Sequence, residues 1–194
     1  PKAVGVENFL EEKLNLKWAK DRNVTIAPNG AMFKRDKQGF LPELMEKMYT
    51  ERVVYKKKAI EAKKEYQKTK DPIYQNEISR CHNIQMAKKI SLNSAYGAIG
   101  NQYFRYFDVK QAEAITLGGQ LSIRWVERDV NRFMNKLLGT DNKNYVVASD
   151  TDSIYLKLDT LVEKVCKGKS TKQIVDFLNK AAEDKIQKVI DDSY

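Results

Sequence analysis

Tyr145-Val-Val-Ala-Ser-Asp-Thr-Asp-Ser-Ile-Tyr-Leu156 is the stretch on which the reading of this chain rests. Two β-rich runs, Tyr145–Ala148 and Ile154–Leu158, flank a polar centre of Ser149, Asp150, Thr151, Asp152 and Ser153. That pattern predicts a β-hairpin with two carboxylates at its tip. Paired carboxylates on a rigid turn suit a hard divalent cation such as Mg²⁺, which takes oxygen ligands and completes its shell with water and substrate phosphates. An Asx-stabilised turn, with the aspartates capping backbone amides, explains the same residues and stays open at this point. A helix-loop-helix calcium loop does not. Counted from Asp150, the sixth position is Tyr155 where glycine is required, and the twelfth is Leu161 where glutamate is required.

Composition narrows the classes. A chain of 194 residues is large enough for one domain, or one and a half, with a real core. Lys and Arg number 35 against 26 Asp and Glu, a net charge of +9. Such a surplus suits a polyanionic partner, nucleic acid or a nucleoside triphosphate. Cys81 and Cys166 give no disulfide framework and match a reducing cytoplasm. The single histidine, His82, excludes a His-based zinc site. With no secretory signal and no apolar run near membrane-spanning length, the expectation is a soluble, cytoplasmic protein without a membrane partner.

Residues 1–22 mix charge with Phe9, Leu10, Leu14, Leu16 and Trp18, enough for one short amphipathic helix or two. Asn23–Lys34 alternates around Pro28-Asn29-Gly30, a turn between two short strands. Pro42 is then placed as the first residue of a long helix that runs to about Lys68 and ends before Asp71-Pro72. Its stripe holds Leu41, Met45, Met48, Tyr55, Ala59 and Tyr66, with Arg52 inside it and Lys56 at its edge. A second helix is expected from about Ile73 to Tyr96, with a polar inward stripe of Ile78, His82, Gln85, Lys89, Asn93 and Tyr96. On that stripe His82 reads as a hydrogen-bonded packing residue.

The connection is short, so the two helices should fold back antiparallel. Arg52 and Lys89 then stand at similar heights, roughly 27 Å from the bend at about 1.5 Å per residue. Arg52, Lys56, Lys89 and Asn93 should converge. Three cations facing one another repel unless an anion lies between them, and a triphosphate accepts charge-assisted bonds from such donors. The other lysines, Lys57, Lys58, Lys63, Lys64 and Lys68, read as a solvated face.

Beyond the second helix, Asn101–Phe107 holds aromatics with an arginine, which fits a nucleic-acid surface or ordinary packing. Asp108 is placed as the N-cap of a helix reaching Leu138 and stopping at Gly139. Its apolar face (Ile115, Trp125, Val126, Val130, Phe133, Met134, Leu137) should pack under a sheet. Gly118-Gly119 reads as allowing another backbone to approach. Residues 158–172 read as a charged connection, and 171–194 as a final amphipathic helix that ends without a cap, as in a truncation.

Lys89-Ile-Ser-Leu-Asn-Ser-Ala-Tyr-Gly97 followed by Asp150-Thr-Asp-Ser153 resembles the two downstream signature motifs of family B DNA polymerases, most closely those of T-even-type bacteriophages. The likeness continues through Ala27-Pro-Asn-Gly-Ala-Met, Phe104-Arg-Tyr-Phe-Asp108, Ala114-Ile-Thr116 and Trp125-Val-Glu-Arg128. It implies template-directed DNA synthesis with primer-template DNA, deoxynucleoside triphosphates and two Mg²⁺ ions. The expected fold is α+β and helix-rich: an antiparallel helical hairpin (fingers, 41–97) on part of a small antiparallel-sheet palm. Residues 1–22 would be an N-terminal helical segment, 23–40 a palm β-hairpin and 98–194 a partial palm.

Carried over residue by residue, the resemblance makes Arg52, Lys56, Lys89 and Asn93 triphosphate ligands. Tyr96 and Gly97 would floor the pocket for the nascent base pair. Asp152 becomes the direct metal ligand, Asp150 its support, and Lys89 a proton donor to the departing pyrophosphate. Two departures stand out. Ala148 and Ser149 replace the family's usual Tyr-Gly, which removes a primer-terminus contact and leaves the carboxylates intact. No Asp opening a Ser-Leu-Tyr-Pro run is present, so the first carboxylate is expected on a missing polymerase segment, of the same chain or a split polypeptide. The competing expectation is a non-catalytic, basic, helical nucleic-acid-binding module.

Overall fold

Helix boundaries in this chain follow its punctuation residues. The computed structural model of the protein describes residues 4–193. It divides into two units. One gathers the segment ending at Asn15, Ala27–Gly30 and the chain from Ala114 onward; the other gathers Leu16–Ile26 and Ala31–Glu113. The architecture is α+β and helix-rich, with two separate two-stranded antiparallel sheets.

In the second unit, helix α2 (Lys17–Asp21; α1 is Val6–Leu10 of the first unit) leads into strands β1 (Val24–Ile26) and β2 (Met32–Lys34). The strands pair Val24 with Lys34 and Ile26 with Met32. Two long helices follow, α3 (Phe40–Thr69) and α4 (Pro72–Ile99). Lys70 closes α3 in the left-handed conformation. Asp71 then caps α4, its carboxylate accepting from the Ile73 N–H at 2.9 Å, with Pro72 as first helical residue. The turn is therefore two residues long, and the helices fold back on each other.

The seam between them repeats every seven residues. Buried or half-buried positions run Leu41, Met45, Met48, Arg52, Tyr55, Ala59, Ala62 and Tyr66 on α3, against Ile78, Cys81, Gln85, Lys88, Leu92, Ala95 and Ile99 on α4. Alternating steps of four and three are those of two coiling helices. This corrects the expected stripe of α4. Ile78 and Gln85 face the seam as anticipated, but His82, Lys89, Asn93 and Tyr96 are exposed. His82 is thus no packing residue. The seam instead takes the small Cys81 and Ala95 and the aliphatic stem of Lys88.

In the first unit, α5 (Val109–Leu138, entering from the second unit) carries the core. Asp108 caps it, accepting from the N–H groups of Lys110 (2.9 Å) and Gln111 (3.3 Å). Gly139 ends it at φ +62°, a conformation that only glycine adopts without strain. Val126, Val130, Met134 and Leu138 recur at helical spacing and bury against Tyr145 and Val146 of the hairpin and Leu161. Gly118 and Gly119 admit no neighbouring backbone, since an added Cβ would meet nothing within 4 Å among the described residues.

The hairpin is β3 (Val146–Asp150) and β4 (Ser153–Leu156). Residues 158–172 are not a plain connection: α6 (Asp159–Val165) forms there and buries Leu161. The last helical stretch starts as α7 (Thr171–Ala181) with a capping box between Ser170 and Gln173, and ends as α8 (Gln187–Asp192). A π-helical turn, Ala182–Ile186, separates them. The extra residue shifts the phase by one, so Ile186 is buried where a regular helix would turn in Lys185. No helix among the described residues is long and apolar enough to cross a membrane.

The N-terminal segment is pinned to α5. Val4 and Gly5 donate to the Pro28 carbonyl at 2.9 and 2.7 Å, Glu7 pairs with Arg124, and Arg128 donates to the Leu10 carbonyl at 2.7 Å. Arg128 also lies 4.1 Å over the Trp125 ring. These contacts give the Trp125–Arg128 motif a structural use.

Candidate functional site

The aspartate turn is built from four backbone positions. Asp150 pairs with Ser153, leaving Thr151 and Asp152 as the two-residue loop. Thr151 sits at φ +51°, which a β-branched residue adopts rarely and at a cost. The Asp150 carbonyl supports it, accepting from the Asp152 N–H at 2.6 Å and the Ser153 hydroxyl at 3.1 Å. The Thr151 hydroxyl donates to Asp150 Oδ1 at 3.0 Å.

Both aspartates are exposed. Among the described residues neither carboxylate accepts a backbone N–H, so the turn does not depend on Asx capping. Their oxygens are left for another ligand. Nor do the described residues hold any group of three His, Cys, Asp or Glu able to enclose a metal ion. Asp150 and Asp152 could contribute carboxylate oxygens to a hard cation, the rest of whose shell would come from elsewhere.

Two asparagines that the sequence reading passed over hold the approach to this hairpin. Asn131 Oδ1 accepts from the N–H groups of Tyr145 (2.8 Å) and Val146 (3.2 Å). One turn on, Asn135 donates to the Lys143 carbonyl at 2.7 Å and accepts from its N–H at 2.9 Å and from the Thr140 hydroxyl at 2.8 Å. Thr140 also bonds the phenol of the buried Tyr145 at 2.7 Å. The available signal was a polar pair at i, i+4 beside the apolar face of α5. Asn131→Ala is expected to cost about 1–3 kcal/mol, because the N–H of the buried Tyr145 loses its acceptor and that of Val146 keeps only Asn144 Oδ1 at 3.2 Å. Asn131→Asp, which keeps the acceptor, should cost less. Urea unfolding measures both, and an unchanged midpoint in Asn131→Ala refutes the clamp.

On the helical hairpin, Lys88 Nζ meets the carboxylate of Glu51 across the two helices. This contact fixes the geometry of what lies beside it. One residue along an α-helix is a rotation of about 100°. Because α3 and α4 run antiparallel, one step on each, to Arg52 and to Lys89, swings both to the same side, away from Glu51 and Lys88. Lys56 lies one turn beyond Arg52, and Asn93 and Tyr96 beyond Lys89, on that side. Of the four expected triphosphate ligands, Arg52 is itself a half-buried seam residue, while Lys56, Lys89 and Asn93 stand at exposed positions.

Arg52 is half-buried, and its buried Nε is without a hydrogen-bond partner among the described residues. Lys56 and Lys89 are exposed, and neither they nor Arg52 belong to any ion pair there. Nearby cations differ: Lys68 pairs with Glu65 and Arg80 with Glu77, which holds the Glu77 carboxyl down at about 2. Tyr96 is exposed, and at Gly97 an added Cβ would meet nothing within 4 Å among the described residues. The cation face belongs to the second unit and the aspartate turn to the first.

Comparison with known proteins adds the context. The model of DNA polymerase family B matches residues 5–188. The DNA-directed DNA polymerase of Enterobacteria phage T4 is 31% identical over 87% of this chain and 24% of its own length. The corresponding enzyme of Escherichia phage RB69 is 29% identical over 85% of the chain and 23% of its own length. DNA polymerase 1 of Pyrococcus abyssi is 29% identical over 92% of the chain and 20% of its own length. The chain thus spans about a quarter or less of these relatives.

Proposed function

Since this chain belongs to DNA polymerase family B, matched over residues 5–188, we propose that it supplies the nucleotide-binding hairpin and one carboxylate turn of a DNA-directed DNA polymerase. The reaction is attack of a primer 3′-hydroxyl on the α-phosphate of a deoxynucleoside triphosphate, with release of pyrophosphate. Helices α3 and α4 act as fingers, and α5 with β3 and β4 as part of a palm.

The observation that carries this reading is the Nε of Arg52, buried in the helix seam without a hydrogen-bond partner among the described residues, with Lys56 one turn on and Lys89 on the facing helix both exposed and in no ion pair there. A buried guanidinium N–H left without an acceptor is costly, and a phosphate oxygen meets the need with a charge-assisted bond. Arg52, Lys56, Lys89 and Asn93 hold the triphosphate. Lys89 can pass its proton to the departing pyrophosphate. Tyr96 offers a flat apolar face, and the open space over Gly97 admits the base pair. Asp152, assisted by Asp150, would hold magnesium. When bound, two Mg²⁺ ions neutralise phosphate charge and sharpen the attacking oxygen.

The test is titration of this chain with a deoxynucleoside triphosphate, followed calorimetrically. Arg52→Ala and Lys89→Ala should each weaken binding by about 1.5–3 kcal/mol, the worth of one charge-assisted bond. The double substitution should cost less than the sum, since both contact one ligand. Unchanged affinity in both single variants refutes the assignment.

A further inference from the structure

The hairpin holds two adjacent cations with opposite fates. Lys88 is tied to Glu51 and its side chain is only 23% exposed, while Lys89 is exposed and in no ion pair among the described residues. On α3, Glu51 takes that pair, while the neighbouring Arg52, half-buried in the seam, is in no ion pair among the described residues. We propose that the Glu51–Lys88 pair is a rotation lock, which holds Arg52 at the seam and Lys89 exposed on the side away from Glu51, and so positions them for the triphosphate. This rests on the nucleotide reading above. It makes Glu51 and Lys88 positioning residues, not ligands.

The packing shows why a lock is needed at this level. A helix rotates about its axis unless interlocked side chains stop it, and the strongest stop is a fully buried apolar residue. On α3 only Ala62 is buried, and on α4 only Cys81 and Ile99. Glu51 lies 11 residues before Ala62, and Lys88 sits between Cys81 and Ile99, 7 and 11 residues from them. At about 1.5 Å per residue, these anchors stand roughly 10–16 Å off along the helices. In the gap the seam is held by Met48, Arg52, Tyr55, Gln85 and Leu92, all half-exposed. A slip of one residue in rotation, about 100°, would bring Lys89 inward and carry Arg52 out of line.

The pair also sorts charge. The Lys88 hydrogen bond, with its charge, holds the Glu51 carboxyl below the usual carboxylate range. Glu51 thus stays ionised through the neutral range and cancels Lys88. The positive potential that remains at this level belongs to Arg52, Lys56 and Lys89, on the face where a polyanion would lie. Without Glu51, Lys88 would compete with Lys89 for the same phosphate from the wrong side.

Three variants of the full chain decide it: Glu51→Ala, Lys88→Ala and the exchange Glu51→Lys with Lys88→Glu. Two readouts are needed. The first is dTTP binding by calorimetry, with Arg52→Ala as control. The second is the distance between spin labels on Tyr49→Cys and Asn93→Cys, the native cysteines being buried. Each single variant should weaken dTTP binding about five-fold and broaden or shift the label distance. The exchange, which restores a pair of opposite charge, should bring the distance back and affinity to within about two-fold. An unchanged distance in Glu51→Ala overturns the lock whatever happens to dTTP. A changed distance with unchanged dTTP affinity overturns the positioning role. If Arg52→Ala binds dTTP as well as the parent, the nucleotide reading and the positioning role built on it both fall. The label distance then still decides whether the pair sets the rotation.

Discussion

Asp152→Asn is expected to lower primer extension by roughly three powers of ten, about 4 kcal/mol of lost transition-state stabilisation. Asparagine has the same shape but lacks the charge that anchors a divalent cation. The fold should not notice the change. Asp152 is exposed, and its carboxylate accepts no hydrogen bond among the described residues. Unfolding and DNA binding should therefore match the parent, which separates a catalytic loss from a structural one. Asp150→Asn should be milder. Asp150 Oδ1 already takes the Thr151 hydroxyl, a bond that asparagine keeps, and its main-chain carbonyl rather than its carboxylate holds the turn. The assay is primer extension with Mg²⁺ and four nucleotides, by this chain mixed with a family B segment that contributes a further carboxylate. Alone, the chain should extend nothing, since two-metal transfer needs bridging carboxylates beyond the pair on this turn. Equal and slight effects at both aspartates would return them to a purely structural part. Extension by the chain alone would show that its own residues complete the metal site.

Much of this arrangement was readable before any coordinates. Residues whose local chemistry allows one conformation marked the element ends: Asp71-Pro72 opens α4, Asp108 opens α5 and Gly139 closes it. The aspartate hairpin followed from two β-rich runs around a polar centre. The rotation of α4 was not readable. Its seam includes Cys81, Ala95 and Lys88, too small or too polar to stand out against His82, Lys89 and Asn93 one position round. Burial and the Glu51 contact together identify Lys88, not Lys89, as the lysine that turns inward. Helix α6 escaped notice because seven residues give too little periodicity, and Glu163 and Lys164 break up Leu161, Val162 and Val165. The π turn at Ala182–Ile186 was hidden for a different reason. It changes the phase of a helix by one residue without changing its composition. Asn131 and Asn135 were overlooked because a polar residue beside an apolar face is usually read as solvated. Here each takes main-chain groups that would otherwise go unpaired.

Met134→Ala is expected to cost about 3 kcal/mol, within the 2–5 kcal/mol typical of methionine truncation in a core. Met134 is fully buried, with Val126, Val130 and Leu138 on its own helix and Tyr145, Val146 and Leu161 opposite. Two effects compete over the size of the loss. Removing the thioether forfeits its transfer free energy and leaves unfilled space, which pushes the cost up. Yet Met134 also lines a cavity of about 350 Å³ with Phe133, Leu161, Phe177 and Ile186, so these neighbours have room to close in. The second effect keeps the loss below the upper end of the range. Met134→Leu, nearly volume-conserving, should cost under about 1.5 kcal/mol. In a chain of 194 residues each kilocalorie lowers the melting temperature by about 2–4 °C, so Met134→Ala should melt roughly 6–12 °C lower. The loss reaches function through the hairpin. Tyr145 and Val146 pack on α5 only five and four residues before Asp150. A loosened core would free the aspartate turn before it melts the helices. Hydrogen exchange should show this, with the amides of β3 and β4 losing protection in Met134→Ala while those of α3 and α4 keep theirs. A drop below about 1 kcal/mol, well short of the core-truncation range, would show that α5 does not hold the hairpin through Met134.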